Sequence, residues 1–222
     1  MVGSYQLIDQ QGDSMPSLKA LAVGVEKTNR KTFATLFFAA VLTVFYIFLP
    51  LVKAHAQGAE DVASQKQVQS LLSEANKAGG DLGALSNVVV RHFAIGTWVN
   101  AILGKEAKKF SASELAEFKR LFPSYIAKQY FKQFGGSNGV LGEVTETRNV
   151  RGDILVTSRI PGSGRTFTVD WRLRIIGGKP RVIDYTTGGI SAVVLRRSEF
   201  QSKIKQSGPS GLNDFLRTFI SS

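Results

Sequence analysis

From residue 60 onward the apolar positions recur first at helical and then at strand spacing. Val62, Val68, Leu71, Leu72 and Ala75 fall three and four apart, which predicts a helix from about Glu60 to Lys77, ended by Gly79-Gly80. A second helical stretch, Leu85 to Leu103, carries Val88, Val89, Phe93, Ile95, Trp98, Val99 and Ile102; Gly96 interrupts it and Gly104 closes it. The third helix has the clearest start. Ser111 or Ser113 can cap it, and Glu114 and Glu117 complement its amino-terminal dipole. Its ladder is Leu115, Phe118, Phe122, Ile126 and Tyr130, with Leu121, Tyr125 and Phe134 beside it, and the run from Gly135 to Gly139 stops it.

From Val140 the period drops to two. Val140 to Val150 and Arg151 to Ile160 read as strands, and Pro161-Gly162-Ser163-Gly164 turns the chain into a third. Across Thr166 to Ile176, Phe167, Val169, Trp171, Leu173 and Ile175 alternate with Thr166, Thr168, Asp170, Arg172 and Arg174, so one face is wholly apolar. Gly177 to Pro180 turn again, into a strand from Arg181 to Thr187. Two helices follow, about Ser191 to Lys205 and Gly211 to Phe219. Short links between strands imply an antiparallel meander. The expected fold is α+β, with helices packed on one face of a curved four-stranded sheet.

The region before residue 57 reads as an address. Lys27, Arg30 and Lys31 precede an apolar run from Phe33 to Val52, followed by Ala54-His55-Ala56, the order of a secretory signal peptide. Cleavage is expected after Ala56, which divides the chain into an extension and signal at 1–56 and a mature domain at 57–222. Pro50 favours cleavage by breaking the helix ahead of the site. The apolar run is also long enough for an uncleaved anchor, and translation starting at Met1 or at Met15 fits equally.

Charge sharpens this picture. The 222-residue chain carries a formal +11, and residues 57–222 keep +9 because the leader holds five Lys/Arg and three Asp/Glu. In an exported protein such a charge points away from nucleic acid and towards anionic lipid surfaces or acidic protein patches, or is simply a solvated basic surface. There is no cysteine, which removes disulfides and thiolate metal sites. His92 is the only histidine after residue 57, so no histidine-based triad or zinc site can be assembled, and no nucleotide-binding or hydrolase motif occurs. No cofactor is expected, and the chain does not read as an enzyme.

The run Asp184-Tyr185-Thr186-Thr187-Gly188-Gly189-Ile190-Ser191, followed by Val193-Val194-Leu195 and Arg197-Ser198-Glu199-Phe200, resembles the Asp-Val-x-x-x-Gly-Ile-Ser...Arg-x-x-Phe signature of the MlaC, or toluene-tolerance, family of periplasmic phospholipid-binding proteins. Gly96-Thr97-Trp98 resembles the family's Leu-Gly-x-x-Trp element, and Glu114, Phe118, Phe122 and Tyr130 its helix ladder. The resemblance runs in order from about Ser64 to Ile220. Arg196 departs from the family's usual Tyr, and Pro180 or Arg181 stands where Trp is common.

The resemblance implies an auxiliary protein of an ABC transporter: a monomeric periplasmic carrier that shields lipid acyl chains in an apolar pocket. It would exchange lipid with an inner-membrane transporter complex and an outer-membrane lipoprotein complex, maintaining outer-membrane lipid asymmetry. Relatives associated with hopanoids make a hopanoid the alternative cargo, and an adaptor without lipid is a further reading. The implied lipid contacts are Trp98, Phe118, Phe122, Tyr125, Tyr130, Val156, Phe167, Val169, Trp171, Leu173 and Val194. From periodicity alone the same strand and helix faces read rather as ordinary core, since apolar strand faces usually pack on helices. Asp184, Gly189, Ser191, Arg197 and Phe200 read as structural: Ser191 caps the helix that follows it, the glycines bend the chain, and Asp184 pairs with a basic group, Arg197 being the expected mate.

Overall fold

The computed structural model describes residues 58–134, 142–162 and 165–222. The signal segment, the expected cleavage site and the glycine run after Phe134 lie outside the described residues. Helix α1 covers 58–77, followed by α2 (Leu82–His92), α3 (Ile95–Leu103), a 3-10 turn (Gly104–Lys109) and α4 (Ala112–Phe134). The strands are β1 (Glu143–Val150), β2 (Asp153–Gly162), β3 (Arg165–Ile176), β4 (Lys179–Thr187) and β5 (Ile190–Ser191), and α5 (Ala192–Ser221) ends the chain. No described helix is long and apolar enough to cross a membrane.

The sheet is an antiparallel meander in the order β1-β2-β3-β4-β5. It therefore has five strands where periodicity predicts four. The extra strand is only the pair Ile190–Ser191, which hydrogen-bonds back to Thr187 and Thr186 after the tight turn at Gly188-Gly189. Two residues are too few to show an alternating pattern. Both turn glycines have positive φ, 59° and 79°, a region that a side chain disfavours. Irregular register at Val144/Glu146 and at Arg172/Leu173 adds a residue to β1 and to β4, and such bulges bend a sheet.

The long helical stretch expected from Leu85 to Leu103 is two helices. The break falls at Phe93-Ala94 and not at Gly96, because this link pairs with the sheet: Phe93 bridges Val182, and the Ala94 N–H donates to the Val182 carbonyl at 2.9 Å. That carbonyl also accepts the indole N–H of Trp98 at 3.0 Å. Part of the outer edge of β4 is thus occupied by helix-linked backbone, which leaves less of it open to another chain.

Between α4 and the preceding turn, Ser111 is the cap. The Glu114 N–H donates to its hydroxyl at 3.2 Å while the Ser111 N–H donates to the Glu114 carboxylate at 2.8 Å, a reciprocal capping box. The two expected carboxy-terminal helices run on as α5, bent at Gly208 (φ 70°, ψ −175°) just before Pro209. The core lies between the helices and the apolar sheet face. Trp98, Trp171, Tyr125, Phe118, Phe122, Phe134 and Phe200 are its largest fully buried side chains.

Candidate functional site

The inner sheet face is built around Trp171. In register it stands between Val156 on β2 and Tyr185 on β4, with Val169 and Leu173 on either side along β3. Its ring centroid is 5.5 Å from that of Tyr185, and its indole N–H donates to the buried Ser158 hydroxyl at 2.8 Å. Trp98 packs on the other side of Tyr185 at 6.0 Å and also touches Phe93 and Phe122. Phe118 and Phe122 of α4 stack on each other, and they and Tyr125 each meet Phe200 of α5 edge to face. Aromatic pairs in these geometries add to the stabilisation from burial.

Beside this cluster lies a narrow apolar cavity that opens to solvent; about 320 Å³ of space lies in and before it, with room inside for about one water molecule. Leu71 and Ala75 of α1 and Leu85, Val88 and Val89 of α2 form one wall. Ile126, Ala127 and Tyr130 of α4 form another, and Phe93 and Tyr185 close the sheet side. The walls are almost wholly hydrocarbon; the end of α2 is tied to β4 through the Phe93–Val182 bridge and the Ala94 N–H bond to the Val182 carbonyl.

Of the residues that the resemblance implies as lipid contacts, only Tyr130 lines this cavity. Trp98, Phe118, Phe122, Tyr125, Val156, Val169, Trp171 and Leu173 are fully buried in the packed core beside it. Phe167 is partly buried, its ring 5.1 Å from Phe134 and covered by the Arg165 guanidinium at 4.3 Å. Val194 faces solvent, 62% exposed, because its neighbour Val193 takes the inward position of the first turn of α5. The remaining lining residues on α1 and α2 belong to helical ladders visible in the sequence. Period identifies such a face but not the element it meets, so their convergence with Tyr185 becomes visible only in the tertiary structure.

The signature around Asp184 acts structurally, with one correction. Arg197 is not the mate of Asp184: its guanidinium donates to the Ala101 carbonyl at 2.7 Å, satisfying an orphan carbonyl near the end of α3. Asp184 instead accepts the backbone N–H groups of Tyr185 at 2.8 Å and Val193 at 3.1 Å, together with the Ser191 hydroxyl. The amides at the start of α5 already compensate its charge, so no guanidinium is needed there. Ser191 caps α5 by accepting the Val194 N–H at 3.1 Å. Phe200 is fully buried in the aromatic cluster.

A polar seam flanks the cavity wall. His92, on α2, is buried; its Nε2 lies 3.1 Å from the Glu74 carboxylate and its Nδ1 3.0 Å from the Gln67 amide nitrogen. A carboxylate only accepts and an amide NH₂ only donates, so the neutral ring with its proton on Nε2 satisfies both partners. Burial pushes the His92 pKa below its ordinary value, against the opposing pull of Glu74. For Glu74, burial pushes upward, but hydrogen bonds from Arg91, Ser70 and His92 prevail and bring its carboxyl to about 2. Among the described residues no group of His, Asp or Glu side chains is placed to hold a metal ion.

A sequence profile described as "MlaC protein" matches residues 62–218. The chain belongs to the MlaC family. Its fold is similar to that of a phospholipid-binding protein from Ralstonia solanacearum, solved in complex with a phospholipid, at a TM-score of 0.58 and 18% identity. That likeness covers 71% of this chain and 97% of the other. Among curated proteins none matches this chain significantly. MlaC membership accounts for the order of the elements described here, from α1 into the last turns of α5.

Proposed function

We propose that this protein is a periplasmic lipid carrier, exported by a signal peptide cleaved after Ala56, which takes acyl chains into the apolar cavity between α1, α2, α4 and β4. It acts as a monomer that exchanges phospholipid between an inner-membrane ABC transporter complex and an outer-membrane lipoprotein complex, and so maintains lipid asymmetry. The observation that carries the reading is the hydrocarbon-walled cavity of an MlaC-family fold whose structural neighbour holds a phospholipid.

The energetics favour enclosure. A two-chain lipid has roughly 30 methylenes, and exposing them to water costs about 25 kcal/mol at about 0.8 kcal/mol each. Only a protein that covers those chains can carry them across an aqueous gap. The enclosed space of the cavity is about that of one water molecule, far below the roughly 300 to 1,000 Å³ of ligand pockets. Two chains therefore enter by displacing α1 and α2 outward from the sheet. A pocket that refills with its own side chains also limits affinity, which delivery to a second membrane requires. The +9 charge of residues 57–222 serves encounter with anionic lipid or acidic partner surfaces.

Native mass spectrometry of gently purified periplasmic protein tests the reading. The expected result is a chain beginning at Gln57 with one phospholipid bound. Protein that is free of lipid and takes none from phospholipid vesicles would refute it, and a membrane-bound product keeping Phe33 to Val52 would make it an anchored protein instead.

A further inference from the structure

Three of the seven large apolar side chains that stay exposed among the described residues gather where β5 passes into α5: Ile190 at 60%, Val194 at 62% and Leu195 at 46%. The turn before them, Gly188-Gly189, has no side chains to cover them. With Ser191 as the cap, Ile190 and Leu195 hold the two positions that pack together in a hydrophobic staple and fix how a chain enters its helix. A staple explains an apolar residue at each place but not that about half of each faces water, and Val194 has no such role. Single exposed apolar residues are ordinary, whereas a group of them at one tip marks a site of interaction.

Beyond this tip the same face of α5 turns basic. Lys205 follows Val194 by about three full turns, so it lies on the same side of the helix about 16 Å further on. Arg197, one turn after Val194, bonds the Ala101 carbonyl and so lays this side of α5 along the end of α3, which leads straight into the 3-10 turn with Lys105, Lys108 and Lys109. The one carboxylate of that turn, Glu106, is paired with Lys109 at 2.7 Å, and the charges of Lys105 and Lys205 reach it as well. Lys105, Lys108 and Lys205 are exposed and make no ion pair among the described residues. Positive charge therefore accumulates behind the apolar tip.

We propose that this face, an apolar tip of Ile190, Val194 and Leu195 backed by Lys105, Lys108 and Lys205, is where the protein docks on an anionic membrane surface. The tip enters the boundary between headgroups and acyl chains, and the lysines behind it meet the lipid phosphates. Lysine favours a membrane over an acidic protein partner, because it is depleted at protein–protein interfaces while clustered lysines suit mobile anionic headgroups. The docking face rests on the lipid-carrier reading and supplies its step of contact with the bilayer. None of its residues lines the cavity, so docking and lipid uptake can be measured apart.

The test is co-sedimentation of the mature protein with vesicles of phosphatidylcholine, either pure or with about one third phosphatidylglycerol. Wild type should bind the mixed vesicles at least roughly tenfold better than the pure ones, and less as salt rises. Lys105→Gln/Lys108→Gln/Lys205→Gln should bind the mixed vesicles roughly tenfold or more weakly, with a shallower salt dependence. Ile190→Ser/Val194→Ser should bind roughly three- to tenfold more weakly with its salt dependence unchanged, and Val194→Trp several-fold more tightly, so that the tip is tested by a gain as well as a loss. Lys66→Gln/Lys77→Gln/Lys179→Gln removes as many exposed cations from α1 and the start of β4 and should lose only about two- to threefold. All should melt within a few degrees of wild type. Wild type that ignores the mixed vesicles, equal losses in the two lysine triples, or tip variants that bind as wild type does would overturn the docking face. Lipid carried by the protein left in solution, read by native mass spectrometry, scores the carrier separately: uptake without docking overturns this face alone, and docking without uptake overturns the carrier reading alone.

Discussion

Trp171 on β3 donates its indole N–H to the hydroxyl of Ser158 on β2 over 2.8 Å, with both side chains sealed from solvent. A serine on an otherwise apolar strand face is explained by that one bond. Replacing it by alanine removes little volume but leaves a buried N–H without a partner. Ser158→Ala should lower stability by about 1–3 kcal/mol, measured by urea unfolding, with the denaturant slope unchanged. A loss below about 0.5 kcal/mol would mean the indole finds another acceptor.

Asp153 opens β2 with 2% of its side chain exposed, between the half-exposed guanidinium groups of Arg172 and Arg174 on β3. Burial alone would raise its pKa, but the bonds from Arg174 and Arg172 hold it below the ordinary carboxylate range. Asp153→Asn keeps the shape and removes the charge. Because both arginines can turn to water, the expected cost is about 1–2 kcal/mol, less than for a fully buried pair. Thermal unfolding checks this, and added salt should narrow the difference only slightly.

Acid should unfold the protein through the seam beside the cavity. Glu74 titrates lower folded than unfolded, so its stabilisation is complete above about pH 4.5 and is lost as pH falls towards 2. His92 is also depressed; the unfolded chain takes up its proton first, so stability begins to fall below pH 6.5. Glu74→Gln should be less stable than wild type at pH 7 by about 1 kcal/mol, discounted for its exposure, and the gap should narrow below pH 4.5 and close only as pH approaches about 2. Equal slopes for both proteins between pH 4.5 and 3 would assign the acid limb elsewhere.

Filling the cavity should separate carriage from folding. Ala75 lines it from α1, where the side chain is only partly buried, so Ala75→Phe can be accommodated with about 1 kcal/mol or less of strain. The variant should fold with a melting temperature within a few degrees of wild type and copurify with little lipid. Val169→Trp, by contrast, inserts bulk into the fully buried sheet face and should destabilise by about 1–3 kcal/mol or more. A folded Ala75→Phe protein with its full lipid complement would remove this cavity from the binding route.

Several of these features are local enough to be read from the chain. The alternation from Thr166 to Ile176 is β3 with its apolar residues inward, and Ser191 is the cap that its position before an apolar run implies. Ser111 answers to the Ser-x-x-Glu spacing in the same way. Such signals survive because each involves residues within a turn of one another, or the side-chain period of a single strand. The mature boundary and the signal segment remain expectations of sequence, since they lie outside the described residues.

What the sequence by itself determined is the family, the α+β class, the order of elements and which face of each is apolar, because periodicity, caps and turns are properties of neighbouring residues. The tertiary structure decided which apolar faces are solid core and which border space. It buried Trp171 and Val169 in the sheet, turned Val194 to water, and gathered Leu71, Val88, Ala127 and Tyr185 from three helices and a strand around one cavity. It also gave Arg197 to the Ala101 carbonyl and Asp184 to the amides of α5. Packing decides these matters because a cavity or a charge partner belongs to no single element: it depends on how far apart several elements come to rest, a distance that no periodicity encodes.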